Sequence, residues 1–513
     1  MLAGAYYDFY AYEPDINSKG LVEDILVALA ETFRNDTYPG PPLPVAAFML
    51  DAYWMANVRA NANCKLNDSS WPLPLPSGLR ALSTRLGTPL ILYNGPQCAN
   101  STYAAQWPLE MGLPYNAGWA QGQLSQIAAS ASPAFYAQLF ASLKAQGMAT
   151  FTQDFLDFHS WNFPAWSTSE TGNFAWLQGQ AASALAAGVP MQYCMALPSD
   201  ILASLAFGAV TNARASGDYS AGSTTSADIS RQSLLLSAVG LRASKDNFQT
   251  FAGRTDRGQE ASPHFQAAAA LLGGGPVGFS DALLLTDPAV LWPAMMLNGT
   301  LLQASRPATP TDVLGWGNAG TVRSAHCELG GGGARGYVLL QDAQFNPAFW
   351  CNATSSCSVP AQLALRDLWP PPATPGPLLG WQYNNSACAA QGGRASACAF
   401  LVPAAPAYAP PPGLAYAPLP PDRTPWAAYT VSPVQSNNYT LLGELGKLVA
   451  LSPVRVRALG VPAGQGAAGL AVTLAGAPGE AVAVAFARPA PGGGGLSVVT
   501  LQWPHSHWAL MGC

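Results

Sequence analysis

The sequence predicts a (β/α)8 TIM barrel followed by a C-terminal antiparallel β-sandwich, and two contrasts along the chain carry that prediction. From the start to about residue 285, short apolar runs alternate with Ala/Leu-rich stretches whose apolar residues recur at three- and four-residue spacing, the pattern of repeated βα units. Beyond about residue 335 no long helix can be read, and Pro/Gly/Ala-rich connections separate short alternating runs. Eight βα units in about 280 residues favour a closed sheet over an open doubly wound one. The expected division is a barrel over residues 1–320 and a sandwich over residues 335–513.

The eight candidate strands are AYYDFY near 5, VAAFMLDAYW near 45, LGTPLILYN near 86, GMATFTQD near 147, GVPMQYCM near 188, AVTNARAS near 209, NFQTFAG near 247 and GGPVGFSD near 274. Helical stretches between them include GLVEDILVALAETF, SPAFYAQLFASLKAQG and FAWLQGQAASALAAG. In the second region the β runs are GYVLLQ, GLAVTLAG, EAVAVAFA and LSVVTLQW. The segment LVPAAPAYAPPPGLAYAPLPPDRTP reads as a connection and the GGGG runs as exposed turns or linkers.

A chain of 513 residues with 49% hydrophobic content buries a large core. Charged residues make up 10% and the net charge is -5, so there is no basic surface to neutralise phosphates, which argues against a nucleic-acid partner. The 15 Trp and 18 Tyr supply flat amphipathic faces that can stack on sugar rings as well as fill a core. No run of about 18 apolar residues escapes Pro or charge, which excludes an ordinary membrane span. The opening MLAGAYYDFY lacks a basic n-region and a sustained apolar h-region, so it reads as a first strand and not as a signal peptide, and a true N-terminus would be missing or processed. Nothing in the sequence bears on oligomeric state.

The nine cysteines are Cys64, Cys98, Cys194, Cys327, Cys351, Cys357, Cys388, Cys398 and Cys513, and none forms a CxxC pair of metal-site type. Asn-x-Ser/Thr acceptors begin at Asn35, Asn67, Asn100, Asn298, Asn352, Asn384 and Asn438, several beside a cysteine. Together they imply an oxidising, glycosylating compartment, secretory or lysosome/vacuole-like, with disulfides and N-linked glycans. An odd count leaves at least one thiol unpaired, and Cys194, inside the apolar run VPMQYCMA, is the candidate.

Barrel enzymes carry their chemistry where strands end, so the informative residues are polar ones at which an apolar run stops. In order these are Asp51 in FMLDAYW, Asn94 in ILYNG, Asp154 in FTQDF, Cys194 in MQYCM, Arg214 and Asp218 in RASGDY, and Asp281 in GFSD. Carboxylates recur at ends 2, 4, 6 and 8 in a chain with only 28 acidic residues, although an Asp after a strand also serves as a helix N-cap. Two carboxylates across a barrel mouth are what glycosidic cleavage needs, one as proton donor and one as nucleophile. The GxGxxG matches from Gly315, Gly331 and Gly464 join no strand to a helix, and neither a GxSxG elbow nor a P-loop is present. His159, His264, His326, His505 and His507 form no HExxH pattern.

The stretch MQYCMALPSDILASLAFGAVTNARASGDYS, followed by SPHFQAAAALLGGGPVGFSD and LNGTLLQASRPATPTD, resembles the second half of the barrel in raffinose synthases and alkaline α-galactosidases of glycoside hydrolase family 36, and in their family 27 relatives. The resemblance covers roughly residues 190 to 315 well and the earlier strands more loosely. It implies an acid/base at Asp218, four residues after Arg214, and a nucleophile at Asp154, with Asp157 as its rival. It further implies that Asp51 holds sugar hydroxyls, with Trp54 retained beside it. Three positions depart from the family pattern. Thr152 stands where relatives carry a sugar-binding lysine, Ala52 replaces the second aspartate of the strand-2 motif, and Gly217 replaces the first aspartate of the RxSDDF pair.

The implied activity is retaining hydrolysis of α-glycosides, α-galactosidase-like, through a covalent glycosyl-enzyme, with no metal or organic cofactor and with an oligosaccharide or glycoside as partner. Arg214 would anchor the strand-6 loop or contact sugar, and Asn94, Thr152, Cys194 and Asp281 complete the candidate binding set, with Trp54, Trp161 and Trp166 available for ring stacking. The same two aspartates also serve transglycosylation of the raffinose-synthase type. Thr152 and Ala52 leave open a non-catalytic carbohydrate-binding protein on the same barrel.

Overall fold

The computed structural model describes residues 2–4, 21–35, 41–51, 54, 75–99, 102–117, 120–219, 221, 226–252, 260, 262–310, 322–330, 334–342, 378–383, 399–402, 426–460, 470–489 and 496–503. Residues 5–10 of the expected first strand, the proline-rich connection over 403–425, the glycine matches from Gly315 and Gly464, and His505 and His507 lie outside them. So do Cys64, Cys351, Cys357, Cys388, Cys398 and Cys513, with the acceptors Asn67, Asn100, Asn352 and Asn384. The chain falls into two units, one made of Met1–Tyr219, Leu235–Gln249 and Val277–Thr286, the other of Ser220–Leu234, Thr250–Pro276 and Asp287–Cys513.

The first unit is built on eight short parallel strands: β1 Leu2–Gly4, β2 Ala47–Leu50, β3 Leu90–Asn94, β4 Met148–Gln153, β5 Met191–Tyr193, β6 Val210–Arg214, β7 Arg242–Ser244 and β8 Gly278–Phe279. Hydrogen-bonded neighbours run β7-β6-β5-β4-β3-β2-β1-β8, so the last strand in sequence lies beside the first, with Leu2 opposite Gly278. Successive βα units joining neighbouring parallel strands give this order. Just past β7 and β8, the two ends of the ladder, the Ser280 N–H donates to the Phe248 carbonyl at 3.0 Å and Ser280 Oγ donates to Asn247 Oδ1 at 3.0 Å.

Helices α1 (Leu21–Arg34), α2 (Ser132–Ala145) and α4 (Gly172–Ala187) fall on stretches whose apolar spacing predicts helix, whereas α3 (Leu156–Asn162), which carries Asp157, lies outside those stretches. Along α2 the buried residues Phe135, Tyr136, Leu139, Phe140 and Leu143 form the stripe that three- and four-residue spacing puts on one face. Helix α4 stops at Gly188, which takes the left-handed conformation (φ 63°) that a Cβ would penalise, and the Val189 N–H returns to the Ala184 carbonyl at 2.8 Å. Where α2 and α4 meet, Ser132 Oγ donates to the Trp176 carbonyl and Ser183 Oγ to the Pro133 carbonyl, each at 2.8 Å. Between β3 and β4 the chain inserts a three-stranded antiparallel sheet of Gln97–Cys98, Leu109–Ala117 and Ala120–Ile127.

Within the parallel sheet the seventh strand is displaced from its expected place. The seventh is Arg242–Ser244 and not NFQTFAG, because the later segment, although buried at Phe248, Gln249 and Thr250, runs outside the ladder. Alternating β-formers marked burial there, and burial is not strand pairing.

The second unit carries a six-stranded antiparallel sheet of β9 Arg306–Pro310, β10 Val322–Leu329, β11 Ala334–Asp342, β12 Leu378–Gln382, β13 Ala399–Val402 and β14 Trp426–Pro433, in the order β9-β10-β11-β14-β12-β13. A three-stranded sheet (Thr440–Gly443, Val482–Pro489, Leu496–Trp503) and a pair (Val456–Gly460, Ala471–Leu474) complete it. Leu379 of the large sheet packs with Leu442, Ala485 and Ala487 of the small one. The buried Arg455 is met by Glu444 at 2.8 Å and by both carboxylate oxygens of Glu480 at 2.5 and 3.0 Å, the geometry a buried guanidinium requires. Among the described residues, no helix is long and apolar enough to cross a membrane.

Gly179 sets the closeness of α2 and α4, since a Cβ there would lie 2.8 Å from Pro133 Cδ and from Ser132 Oγ. Gly179→Val is therefore expected to lower the stability of this unit by about 1–3 kcal/mol, measured by denaturant unfolding, whereas an unchanged midpoint would show that the two helices can part without cost.

Candidate active site at the strand ends

Asp154 directly follows β4 and is 7% exposed. Its N–H extends the ladder by donating to the Asn94 carbonyl at 2.9 Å, and its Oδ1 accepts the Phe155 N–H at 2.6 Å. That second bond accompanies a left-handed backbone at Phe155 (φ 58°), a conformation a bulky residue adopts only when its surroundings enforce it. Next door the same strain appears at Met195 (φ 49°), directly after Cys194, and the Asp157 N–H ties the two strand ends together through the Met195 carbonyl at 2.8 Å.

Arg214, the last residue of β6, joins the candidate residues. Its Nη2 pairs with Asp218 Oδ1 at 2.8 Å and its Nη1 approaches Asp246 Oδ2 at 3.8 Å. The guanidinium is nearly buried, whereas the Asp218 side chain is 59% exposed. Burial works against the Arg214 charge, but Cys194, Asp246, Asp154 and Asp218 outweigh it and hold its proton more firmly than in water. Burial also pushes the Cys194 thiol up, offset in part by Arg214 and reinforced by the neighbouring Asp154. Cys194 is a free buried thiol, and so is Cys327. Asp157 is raised by burial, opposed by the Phe158 N–H, and it feels both Asp154 and Arg214.

Strands β4, β5 and β6 thus bring together Asp154, Cys194, Arg214 and Asp218, with Asp157 beside them. Asp51 and Asp281 sit one and two residues past β2 and β8, both buried. Asn94 bonds Gln153 Oε1 through Nδ2 at 2.8 Å, and the same oxygen accepts Gln180 Nε2 of helix α4 at 2.6 Å, so its amide belongs to a buried network shared with the helices. Thr152 Oγ1 donates to Gln192 Oε1 at 3.1 Å, and Gln192 Nε2 donates to Ser244 Oγ at 2.9 Å. Trp54 is buried with Nε1 donating to the Tyr93 carbonyl at 3.0 Å, and Trp166 is buried among rings, whereas Trp161 on α3 is 65% exposed. His159 is buried and held down to about 3, which keeps it neutral near pH 7. Among the described residues, no group of three or more His, Cys, Asp or Glu could hold a metal ion.

Two polar residues absent from the sequence reading are Lys245 and Asp246. Both follow β7, and placing that strand near 247 hid them on its N-terminal side. A carboxylate after the apolar-to-polar break in LRASKD was the signal that could have found Asp246.

No protein-family model matches the chain, and no curated protein does. Among solved structures it is similar to an α-galactosidase from Thermus thermophilus in complex with p-nitrophenyl α-D-galactopyranoside, at 18% identity over 62% of this chain and 64% of that one (TM-score 0.41). A family 31 α-xylosidase from Xanthomonas citri aligns at 9% identity over 98% of this chain and 58% of that one (TM-score 0.46). An α-N-acetylgalactosaminidase from Bifidobacterium bifidum aligns at 11% identity over 64% and 60% (TM-score 0.34). These neighbours are glycosidases, the chain spans less than two thirds of each, and likenesses of this strength carry no functional assignment.

Next to this cluster Asp200 is buried, accepting the Leu197 N–H at 2.9 Å and Asn173 Nδ2 at 3.0 Å. Burial raises it from 3.8 to about 6, partly countered by those bonds. A carboxyl raised on folding binds protons more tightly in the native state, so its stabilising share is full below pH 3.8 and is lost as pH rises through about 6. Stability should fall across that window by on the order of 2–3 kcal/mol from this group. Asp200→Asn should remove that component of the slope, and an unaltered pH profile of denaturant unfolding in the variant would contradict the assignment.

Proposed function

We propose that this chain is a retaining glycosidase acting on α-glycosides of galactosidase type, with Asp154 as nucleophile and Asp218 as acid/base. One observation carries the reading: the buried guanidinium of Arg214 is ion-paired with Asp218 after β6 at 2.8 Å and lies within electrostatic reach of Asp154 after β4. Retaining cleavage needs two carboxyl groups about 5–5.5 Å apart on either side of the scissile bond. In this reading the eight strands close into a barrel whose mouth holds the pair, and the antiparallel sheets of the second unit form a sandwich. Asp51, Cys194 and Asp281 rim the same mouth.

The chemistry runs in two displacements. Asp154 attacks the anomeric carbon and forms an ester while Asp218 protonates the departing oxygen; Asp218 then takes a proton from water, which releases the sugar with its original configuration. Arg214 occupies Asp218 Oδ1, so Oδ2 is the oxygen for proton transfer. The hydrogen bond from Phe155 N–H orients Asp154 through Oδ1. A glycosylating compartment accords with the acceptors Asn35, Asn298 and Asn438, all exposed. A binding-only reading is favoured by Thr152, which bonds Gln192 and offers no cation to the sugar.

A screen of aryl α- and β-glycosides of galactose, glucose, N-acetylgalactosamine and arabinose should show turnover of an α-glycoside with retention. Asp154→Asn should lose several orders of magnitude in kcat, and Asp218→Ala about 10²–10⁴-fold, least with activated leaving groups and restored by azide. Sugar binding without turnover across the screen would establish the binding-only reading, and near-normal activity in Asp154→Asn would defeat the nucleophile assignment.

A further inference from the structure

Asp246 is the buried carboxylate of this cluster to which the two-carboxylate reaction gives no role. Its Oδ2 accepts the Tyr219 N–H at 2.6 Å, and its own N–H donates to Ser216 Oγ at 2.9 Å. The Ala215 N–H pairs with the Ser244 carbonyl at 2.8 Å, and Lys245 Nζ lies 4.9 Å from the Tyr219 ring centroid. The loop that carries Asp218 is therefore fastened on both sides of that residue to the segment after β7.

The charges give the arrangement a second consequence. Asp218 is exposed and must cycle between acid and base, whereas Arg214 is buried and keeps its charge. A buried guanidinium whose partner takes up a proton needs another counter-ion, since an uncompensated charge in a low-dielectric interior is strongly unfavourable. Asp246 stands 3.8 Å from Arg214 Nη1 with a 12% exposed side chain.

We infer that Asp246 is a positioning residue for the proposed acid/base: it fixes the 214–219 loop and remains the counter-ion of Arg214 while Asp218 carries the proton. The inference rests on the glycosidase reading only for the purpose of that proton. The groups facing the cluster are Asp154 after β4, Asp157 on α3, Cys194 after β5, Arg214 and Asp218 on the β6 side, and Lys245 after β7. Burial raises Asp246 above its ordinary value, and Arg214, the Tyr219 N–H, Lys245 and the Asn247 N–H only partly offset that, so its charge depends on those four contacts. With Asp246 neutral, the whole Arg214 charge falls on Asp218 and favours its ionised form.

The test is a carboxyl-carbon NMR titration of the full chain labelled at aspartate, with Asp218 assigned from Asp218→Asn and Asp246 from Asp246→Glu. In the unsubstituted protein Asp246 should stay ionised throughout the range in which Asp218 titrates. Asp246→Asn should lower the Asp218 midpoint by about one pH unit, and Asp246→Glu should leave it within a few tenths. A merely structural role would disorder the loop in both variants without separating them by charge. An Asp246 protonated in the range where Asp218 titrates, or an unmoved midpoint in Asp246→Asn, would overturn the inference. The wild-type measurement stands even where Asp246→Asn does not fold. No substrate is used, so absence of glycosidase turnover would sink the functional reading and leave this outcome legible.

Discussion

A guanidinium taken out of water has to be met by negative charge, and Arg214 is where the described part of this molecule faces that demand around its candidate site. Its side chain is 10% exposed, and the carboxylates of Asp218, Asp246 and Asp154 all bear on it. Asp154, Asp218 and Asp246 follow three different strands, β4, β6 and β7. The arrangement therefore presupposes the parallel sheet in the order observed, and an error of one strand would leave a buried charge unpaired at a cost of several kcal/mol.

The sheet makes such a cluster possible because every strand points the same way. Parallel strands joined by helices deliver all their C-terminal ends to one edge, so a polar residue at each end costs the core nothing and adds to a common site. Backbone strain at Phe155 and Met195 falls on that edge, one residue after Asp154 and one after Cys194. Behind it the polar side chains are occupied with one another: Asn94, Gln153 and Gln180 toward the helices, Thr152, Gln192 and Ser244 across neighbouring strands. The ends are thus tied to one another and to the helices, although Asn94 Oδ1, Gln180 Oε1 and Arg214 Nε are buried without a hydrogen-bond partner among the described residues.

Much of this was legible in the sequence for a physical reason: an apolar run that stops at a polar residue records both a strand and its end. FTQDF, MQYCM and VTNAR located Asp154, Cys194 and Arg214 correctly at the ends of β4, β5 and β6. The rule failed at β7. There the ladder segment is only the three residues Arg242–Ser244, while the longer NFQTFAG is buried without pairing, so hydrophobic pattern alone misplaced the strand and concealed Asp246. Side-chain direction was illegible as well. Trp54, Trp161 and Trp166 look alike as letters, yet two are buried and one is exposed. Asn94 looked like a site residue, and its amide is bonded to Gln153 at 2.8 Å.

The functional account stands or falls on which atom becomes bonded to sugar. Incubation with a galacto-configured cyclitol epoxide or a fluorinated glycosyl donor, followed by peptide mass spectrometry, reads that directly. The account predicts one glycosyl equivalent esterified to Asp154, absent in Asp154→Asn and unaffected in Asp157→Asn. A label on Asp157, or none on a chain that binds the reagent, would contradict it.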